Sequence, residues 1–258
     1  MNQENICLLA DHEAIKMRRV GKLNAILLLH LKNFIKEDNS TLDLNLEAEK
    51  WTSFNGALSA PLNYSIEQNL SFPKSICTSK NEIICHGIPC ANEMLKNGDI
   101  LNIDITLKYD DFHGDSSKTF PVGLITRKHY HLLKTTKSCL NLGILEATPG
   151  ALTKNIGISR HNYITKFNCS VVKNFVGHGI GKFFHMQPFI FHYPNKHSKI
   201  TLIPGMAFTI EPMINLGTEK VLPLQNGWSF KTKDNEFSAQ FEHTLLITSS
   251  GTEILTII

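Results

Sequence analysis

Residues 100–121, "ILNIDITLKYDDFHGDSSKTFP", alternate with a period of two: Leu101, Ile103, Ile105 and Leu107 are interleaved with Asn102, Asp104, Thr106 and Lys108. Successive side chains of a strand point to opposite faces, so this run predicts a strand with one apolar face. "YDDFHGD" then turns the chain into a second extended run, "SSKTFPVG", which predicts a β-hairpin. Asp104 and Asp115 fall on either side of that turn and are expected to face each other across the ladder.

Upstream of the hairpin, Leu23, Ile26, Leu27, Leu31 and Phe34 recur at spacings of three and four within residues 12–36, the pattern of an amphipathic helix. A second helix is expected over 41–57, opened by Ser40 with Asp43 in the capping position and buried through Leu44, Ala48 and Trp51. The same order recurs downstream. Helices are predicted over 127–147, ended by Pro149 and Gly150, and over 153–167, followed by strands near 171–176, 206–214, 228–233 and 239–248. This succession predicts an α+β domain with helices outside a curved, mainly antiparallel sheet. No low-complexity linker separates the halves, so one domain spanning 1–258 is expected, with pseudo-repeat halves of about 10–123 and 124–250.

The chain has 258 residues, of which 42% are hydrophobic and 19% charged, enough to bury a substantial core. A formal charge of +3 is compatible with transient attraction to ribosomes but lacks the dense basic stripe of a nucleic-acid reader. Six cysteines are scattered without a C-x-x-C pair, there is no secretory signal pattern, and the longest apolar run, "AILLLH", is far shorter than a bilayer span. A cytoplasmic protein without a membrane anchor is expected.

Several polar residues sit where the surrounding pattern does not favour them. Asp104 must be solvated on an exposed strand face, paired or bound to metal, and Asp115 in "FHGDSSK" either caps the turn or carries chemistry. Glu211 in "GMAFTIEPM" is crowded by Ala207, Phe208, Ile210 and Met213, and Glu242 in "SAQFEHTLLIT" repeats the case. In "NFVGHGIGKFFHM", residues 174–186, His178 lies between Gly177 and Gly179, with His185 seven residues on. Flanking glycines allow close backbone approach and point to a ring that something must reach. If these four carboxylates and His178 converge, their repulsion calls for intervening cations, and two divalent ions supply about four positive charges. Oxygen-rich ligation with a single imidazole favours Mn²⁺, Fe²⁺ or Co²⁺ over a thiolate-bound structural zinc.

The motifs "IKMRRVGKL", "NEIICHGIP", "LKNGDILNIDIT", "FHGDSSKTF", "GHGIGKFFHMQP", "PGMAFTIEPM", "GWSFKTKD" and "SAQFEHT" together resemble the type I methionine aminopeptidases, in order and over nearly the whole chain. The resemblance implies the pita-bread fold, with two pseudo-symmetric halves. It implies two divalent metal ions, with Zn²⁺ also compatible, on Asp104, Asp115, His178, Glu211 and Glu242; Asp115 and Glu242 would bridge. His178 would be the one nitrogen ligand, exposed between its glycines to let the metal approach. The family's two further histidines fall on His86 and His185, and a methionine slot falls on Cys77, Phe184, Trp228, Tyr64 and Phe72. The implied reaction is removal of the initiator methionine from nascent polypeptides with a small second residue, a metal-bridging water attacking the scissile carbonyl. Glu211 would move the proton, His185 would stabilise the developing oxyanion, and His86 would bond the scissile amide. A monomer is expected, and the chain's own Met1, ahead of Asn2, is expected to be retained. The rivals are an X-Pro dipeptidase of the same fold, which usually carries an extra N-terminal domain, and a non-catalytic relative, which has little reason to keep all five ligands.

Overall fold

The computed structural model describes residues 6–67 and 70–258. Met1 and Asn2 lie outside the described residues, as do 68 and 69 in the middle of the 65–71 segment.

The hairpin is the scaffold of the first half. Strands Ile100–Tyr109 and Phe112–Pro121 pair antiparallel along their whole length around a tight turn in which Asp110 and Asp111 both take positive φ. Leu101, Ile103, Ile105 and Leu107 are all buried on one face. Each such side chain contributes about 1.5–3 kcal/mol of burial. That face packs against helix α1, Asp11–Leu31, whose buried stripe includes Met17, Val20, Gly21, Asn24, Leu27 and Leu31. The stripe is rotated from the expected one: Leu23 and Ile26 are only partly buried, because the helix rests its glycine side on the sheet. A Cβ on Gly114 would stand 3.0 Å from Gly21 N, so backbone rather than side chains sets this contact.

Helix α2, Thr41–Phe54, covers the same core with Leu44 and Ala48. Its N-terminus is closed as the sequence predicts: Ser40 Oγ accepts from Asp43 N at 3.2 Å, and Asp43 Oδ2 accepts from Ser40 N at 2.7 Å. The first expected helix is shorter than 12–36, giving way at Lys32–Phe34 to a 3₁₀ turn. The second also stops early, at Phe54, with Gly56 at positive φ beyond it.

In the second half α3, Arg127–Glu146, packs beside α4, Thr153–Ile164, and against the strands Ala207–Ile210, Met213–Asn215 and Ser238–Gln240, while α4 meets Ser170–Val171 and Met186–Ile190. Leu132, Leu140, Ile156, Phe208, Ile210, Leu245 and Ile247 form its core. The helix–helix–strands order therefore occurs twice, each time around its own apolar cluster. All strand pairing among the described residues is antiparallel.

Two strands expected to be continuous are broken. The run 206–214 divides into Ala207–Ile210 and Met213–Asn215, and the run 239–248 into Ser238–Gln240 and His243–Thr248. The first pair of segments, 207–210 and 243–248, belongs to one sheet, and the second pair, 213–215 and 238–240, to another. Glu211 and Glu242 occupy the breaks, where the chain passes from one sheet to the other. Short strands at Cys77–Lys80, Ile83–Cys85 and Met186–Ile190 complete the surroundings of that crossing and were not expected from periodicity. No helix among the described residues is long and apolar enough to cross a membrane.

Candidate metal centre

The second face of the hairpin, carrying Asn102, Asp104 and Thr106, looks towards the other half and not to solvent. Asn102 Nδ2 donates to Gln240 O at 3.0 Å and to Ser117 Oγ at 3.0 Å, and Lys118 bridges to Phe241. Asp104 is thus enclosed between the halves. It does not face Asp115 directly: Asp104 is paired with Ser117, and Asp115 with Thr106, so the two aspartates lie on one face as diagonal neighbours. The pleat explains this, since cross-strand partners and their i±2 neighbours share a face.

Asp115 is buried and held from both halves. Its Oδ1 accepts from Thr106 Oγ1 at 2.9 Å, its N donates to Thr244 Oγ1 at 3.0 Å, and the Thr244 hydroxyl lies 2.7 Å from its carbonyl. Glu211 N meets His192 Nε2 at 3.1 Å, and Glu211 Oε1 accepts from Thr209 Oγ1 at 2.8 Å. Glu242 N donates to Ser117 O at 2.9 Å, tying the broken strand to the hairpin.

His178 is buried, with only 6% of its surface exposed, which corrects the expectation of an exposed ring. Its glycines serve backbone packing instead. A Cβ at Gly177 would collide with Thr209 O, and one at Gly179 with Gln187 O, on the strands that close on either side. The ring is oriented by Nδ1, which donates to Gly179 O at 3.0 Å and leaves Nε2 turned towards Asp115 and Glu211.

These groups meet. His178 Nε2 lies 3.6 Å from Asp115 Oδ2 and 3.7 Å from Glu211 Oε1. Asp115, His178 and Glu242 each bring a ligand atom within 4.8 Å of the others. Asp104 and Glu211 line the same cavity, of about 380 Å³. Among the described residues no protein donor bonds the carboxylates of Asp104 or Glu242, and burial raises both pKa values well above the usual range. Repulsion from Asp115 and Glu211 adds to that shift. Burial likewise pushes Glu211 up to about 7. Burial disfavours the charge on His178, but the Asp115 and Glu211 carboxylates facing it outweigh that and raise its pKa. Four carboxyls lining one cavity, two of them without protein donors among the described residues, and an imidazole nitrogen facing them form a donor set that fits hard or borderline divalent cations.

Every residue assigned to the site from sequence lines this one cavity. The apolar wall has Phe72 and Trp228 edge to face at 5.3 Å, with Cys77 beside them and paired to Asp104 across the sheet. Tyr64 packs against this wall and meets Phe184 edge to face at 5.2 Å, and Phe184 stacks on His185 at 4.0 Å. His86 takes a positive φ of 54° in its loop and is packed against Phe175 at 5.6 Å; burial lowers its pKa to about 4, so it is neutral. Sequence reading missed Thr106, Phe175, Met213 and Phe189 as lining residues, and Thr209, His192, Gln240 and Thr244 as partners of the ligands. Thr209, Gln240 and Thr244 were within reach of a simple rule, for each stands two residues from Glu211 or Glu242.

Residues 15–249 match the model of metallopeptidase family M24. Methionine aminopeptidase A of Synechocystis is 49% identical over 254 residues, covering 98% of this chain and 98% of the relative. Methionine aminopeptidase of Escherichia coli K12 is 41% identical over 243 residues, covering 94% of this chain and 90% of the relative. The crystal structure of methionine aminopeptidase from Rickettsia prowazekii superposes with a TM-score of 0.92 at 41% identity, covering 98% of this chain and 100% of that one. The fold is the pita-bread fold, as the repeated order of elements predicts. The chain belongs to metallopeptidase family M24 and, within it, to the methionine aminopeptidases.

Proposed function

We propose that this cavity removes the N-terminal methionine from polypeptides whose second residue is small, using two divalent cations held by Asp104, Asp115, His178, Glu211 and Glu242. The observation that carries the reading is the meeting of this donor set at the floor of a cavity whose wall is Phe72, Cys77 and Trp228. An unbranched thioether suits such a wall, being apolar, flexible and attracted to aromatic edges. When bound, the cations supply Lewis acidity and make water nucleophilic near neutral pH.

The chain's own groups do the rest. Asp115 and Glu242, brought together from the two halves, would hold the cations with Asp104, His178 and Glu211. Glu211 carries a proton from the attacking water to the departing amine. His86, kept neutral by its surroundings, hydrogen-bonds the scissile amide. His185 donates to the carbonyl oxygen as negative charge develops on it. Asp115, Glu211, Glu242 and His178 are buried, which strengthens the electrostatic interactions among them.

Mn²⁺, Fe²⁺ and Co²⁺ suit the ligands best, and Zn²⁺ is compatible with them. The mild positive charge supports a brief encounter with ribosomes, and the reading places a monomeric enzyme in the cytoplasm, acting on nascent chains. The test is release of methionine from Met-Ala-Ser by metal-depleted protein, supplied in turn with each of the four ions. No release with any ion, or faster cleavage of Ala-Pro, would overturn the reading.

A further inference from the structure

Tyr64 was expected only as part of an apolar slot, yet its hydroxyl lies 2.8 Å from His185 Nδ1, with the two rings 5.2 Å apart. Among the described residues no protein group bonds the other ring nitrogen, Nε2, and His185 lines the metal cavity. A neutral imidazole carries one proton, and the partner of one nitrogen determines what the other can do. For Nε2 to donate to a substrate oxygen, Nδ1 must be bare and must accept, and a phenol is the donor that allows it.

The mounting of Tyr64 is firm. Asn63 N donates to Phe72 O at 2.9 Å and Phe72 N to Tyr64 O at 2.8 Å, closing the base of the 65–71 segment. Phe72 in turn meets Trp228 edge to face. One backbone clasp therefore carries both a wall of the slot and the group that holds His185.

We propose that Tyr64 is a positioning residue: its hydroxyl donates to His185 Nδ1, holding the ring in the tautomer whose Nε2–H faces the substrate carbonyl. The inference rests on the aminopeptidase reading of the site. It links the slot to the chemistry, since a side chain that seats Phe72 and Tyr64 also settles His185.

The test compares the wild type with Tyr64→Phe, each loaded with Zn²⁺, by long-range ¹H–¹⁵N correlation of the His185 ring, assigned by its loss in His185→Gln. The expected wild-type pattern has a protonated Nε2 and an accepting Nδ1, with the Nδ1 resonance moved in Tyr64→Phe. A wild-type ring protonated at Nδ1 overturns the proposal. In turnover of Met-Ala-Ser, Tyr64→Phe should lower kcat about tenfold and leave KM within about twofold, because the ring stays in the slot. On the His185→Gln background it should cost nothing further. An unchanged kcat, or the same loss on both backgrounds, also overturns it. A wild type that spares Met-Ala-Ser would sink the aminopeptidase reading, whereas the ring spectrum judges the contact by itself.

Discussion

His178 Nε2 stands 3.6 Å from Asp115 Oδ2, although 63 positions of sequence and the boundary between the halves separate them (178 − 115 = 63). The hairpin contributes the aspartate and the strand Gly177–Gly179 the imidazole, so neither half holds a complete donor set. His178→Ala should therefore cost at least about a hundredfold in methionine release, since losing a mere outer partner of a metal ligand costs ten- to a hundredfold. Titration calorimetry with Mn²⁺ should show weakened binding with the fold intact by circular dichroism. Unchanged metal affinity would remove His178 from the donor set.

Stability should respond to pH in opposite senses with and without metal. In the metal-free fold, Asp104, Glu211, Glu242 and His178 all have raised pKa values. Their contribution is full below their unfolded values and is lost as pH rises, for Glu211 between 4.5 and about 7. Cations reverse the sense by holding the carboxylates ionised, so that stability appears above the unfolded value and is lost on acidification. Buried neutral His86 and His243, with pKa values lowered to about 4 and about 3, act alike in both forms and cancel in the difference. The gap in Tm between Mn²⁺-loaded and metal-free protein should widen by ~5 °C or more from pH 5 to pH 8. A gap that is constant or narrows would contradict the proposed ligation.

The glycines of "GHGIG" should differ sharply in tolerance. A Cβ at Gly179 would strike Gln187 O, which is backbone and cannot swing aside, so Gly179→Ala should cost ~3 kcal/mol or more. At Gly181 the nearest atoms are Leu9 Cδ2 at 3.7 Å and Met186 Cε at 3.8 Å, ordinary contacts, and Gly181→Ala should stay within ~0.5 kcal/mol of wild type. Urea denaturation of the two variants checks the contrast, and equal losses would refute the packing role of Gly179.

The reading of these glycines shows where sequence stops. Their small size was legible, but what approached them was not, because the strand Met186–Ile190 carries no clear alternation around Pro188. The hairpin and the cap at Ser40 were legible because period and capping chemistry are local. The breaks at Glu211 and Glu242 were less legible: Pro212, which cannot donate to a ladder, is a local signal after Glu211, but at Glu242 only the change of partner strand ends the ladder. The site itself was legible chiefly through motif resemblance. Charge in an apolar run marked Glu211 and Glu242 as unusual, but nothing local could place them beside His178.

Asn24 offers a last test of how the scaffold serves the site. It is fully buried in α1, among apolar neighbours, and reaches the hairpin with Nδ2, donating to Ile105 O at 2.6 Å and Gly114 O at 2.8 Å. Its Oδ1 accepts from Ser116 Oγ. Ile105 follows Asp104, and Gly114 and Ser116 flank Asp115, so one amide grips the backbone beside both aspartates. Asn24→Leu keeps the volume but removes a second hydrogen bond from two ladder carbonyls, at about 0.5–1.5 kcal/mol each, and leaves the buried Ser116 hydroxyl without its acceptor, at about 1–3 kcal/mol. We expect a total loss of ~3 kcal/mol or more in urea denaturation. Mn²⁺ affinity should also weaken, because small shifts of Asp104 and Asp115 spoil a shared geometry. Asn24→Asp keeps the acceptor for Ser116 but replaces the donor by a carboxylate facing two carbonyls, and should be no better tolerated. A stable Asn24→Leu protein with undiminished Mn²⁺ binding would show that the hairpin holds its aspartates without help from the helix.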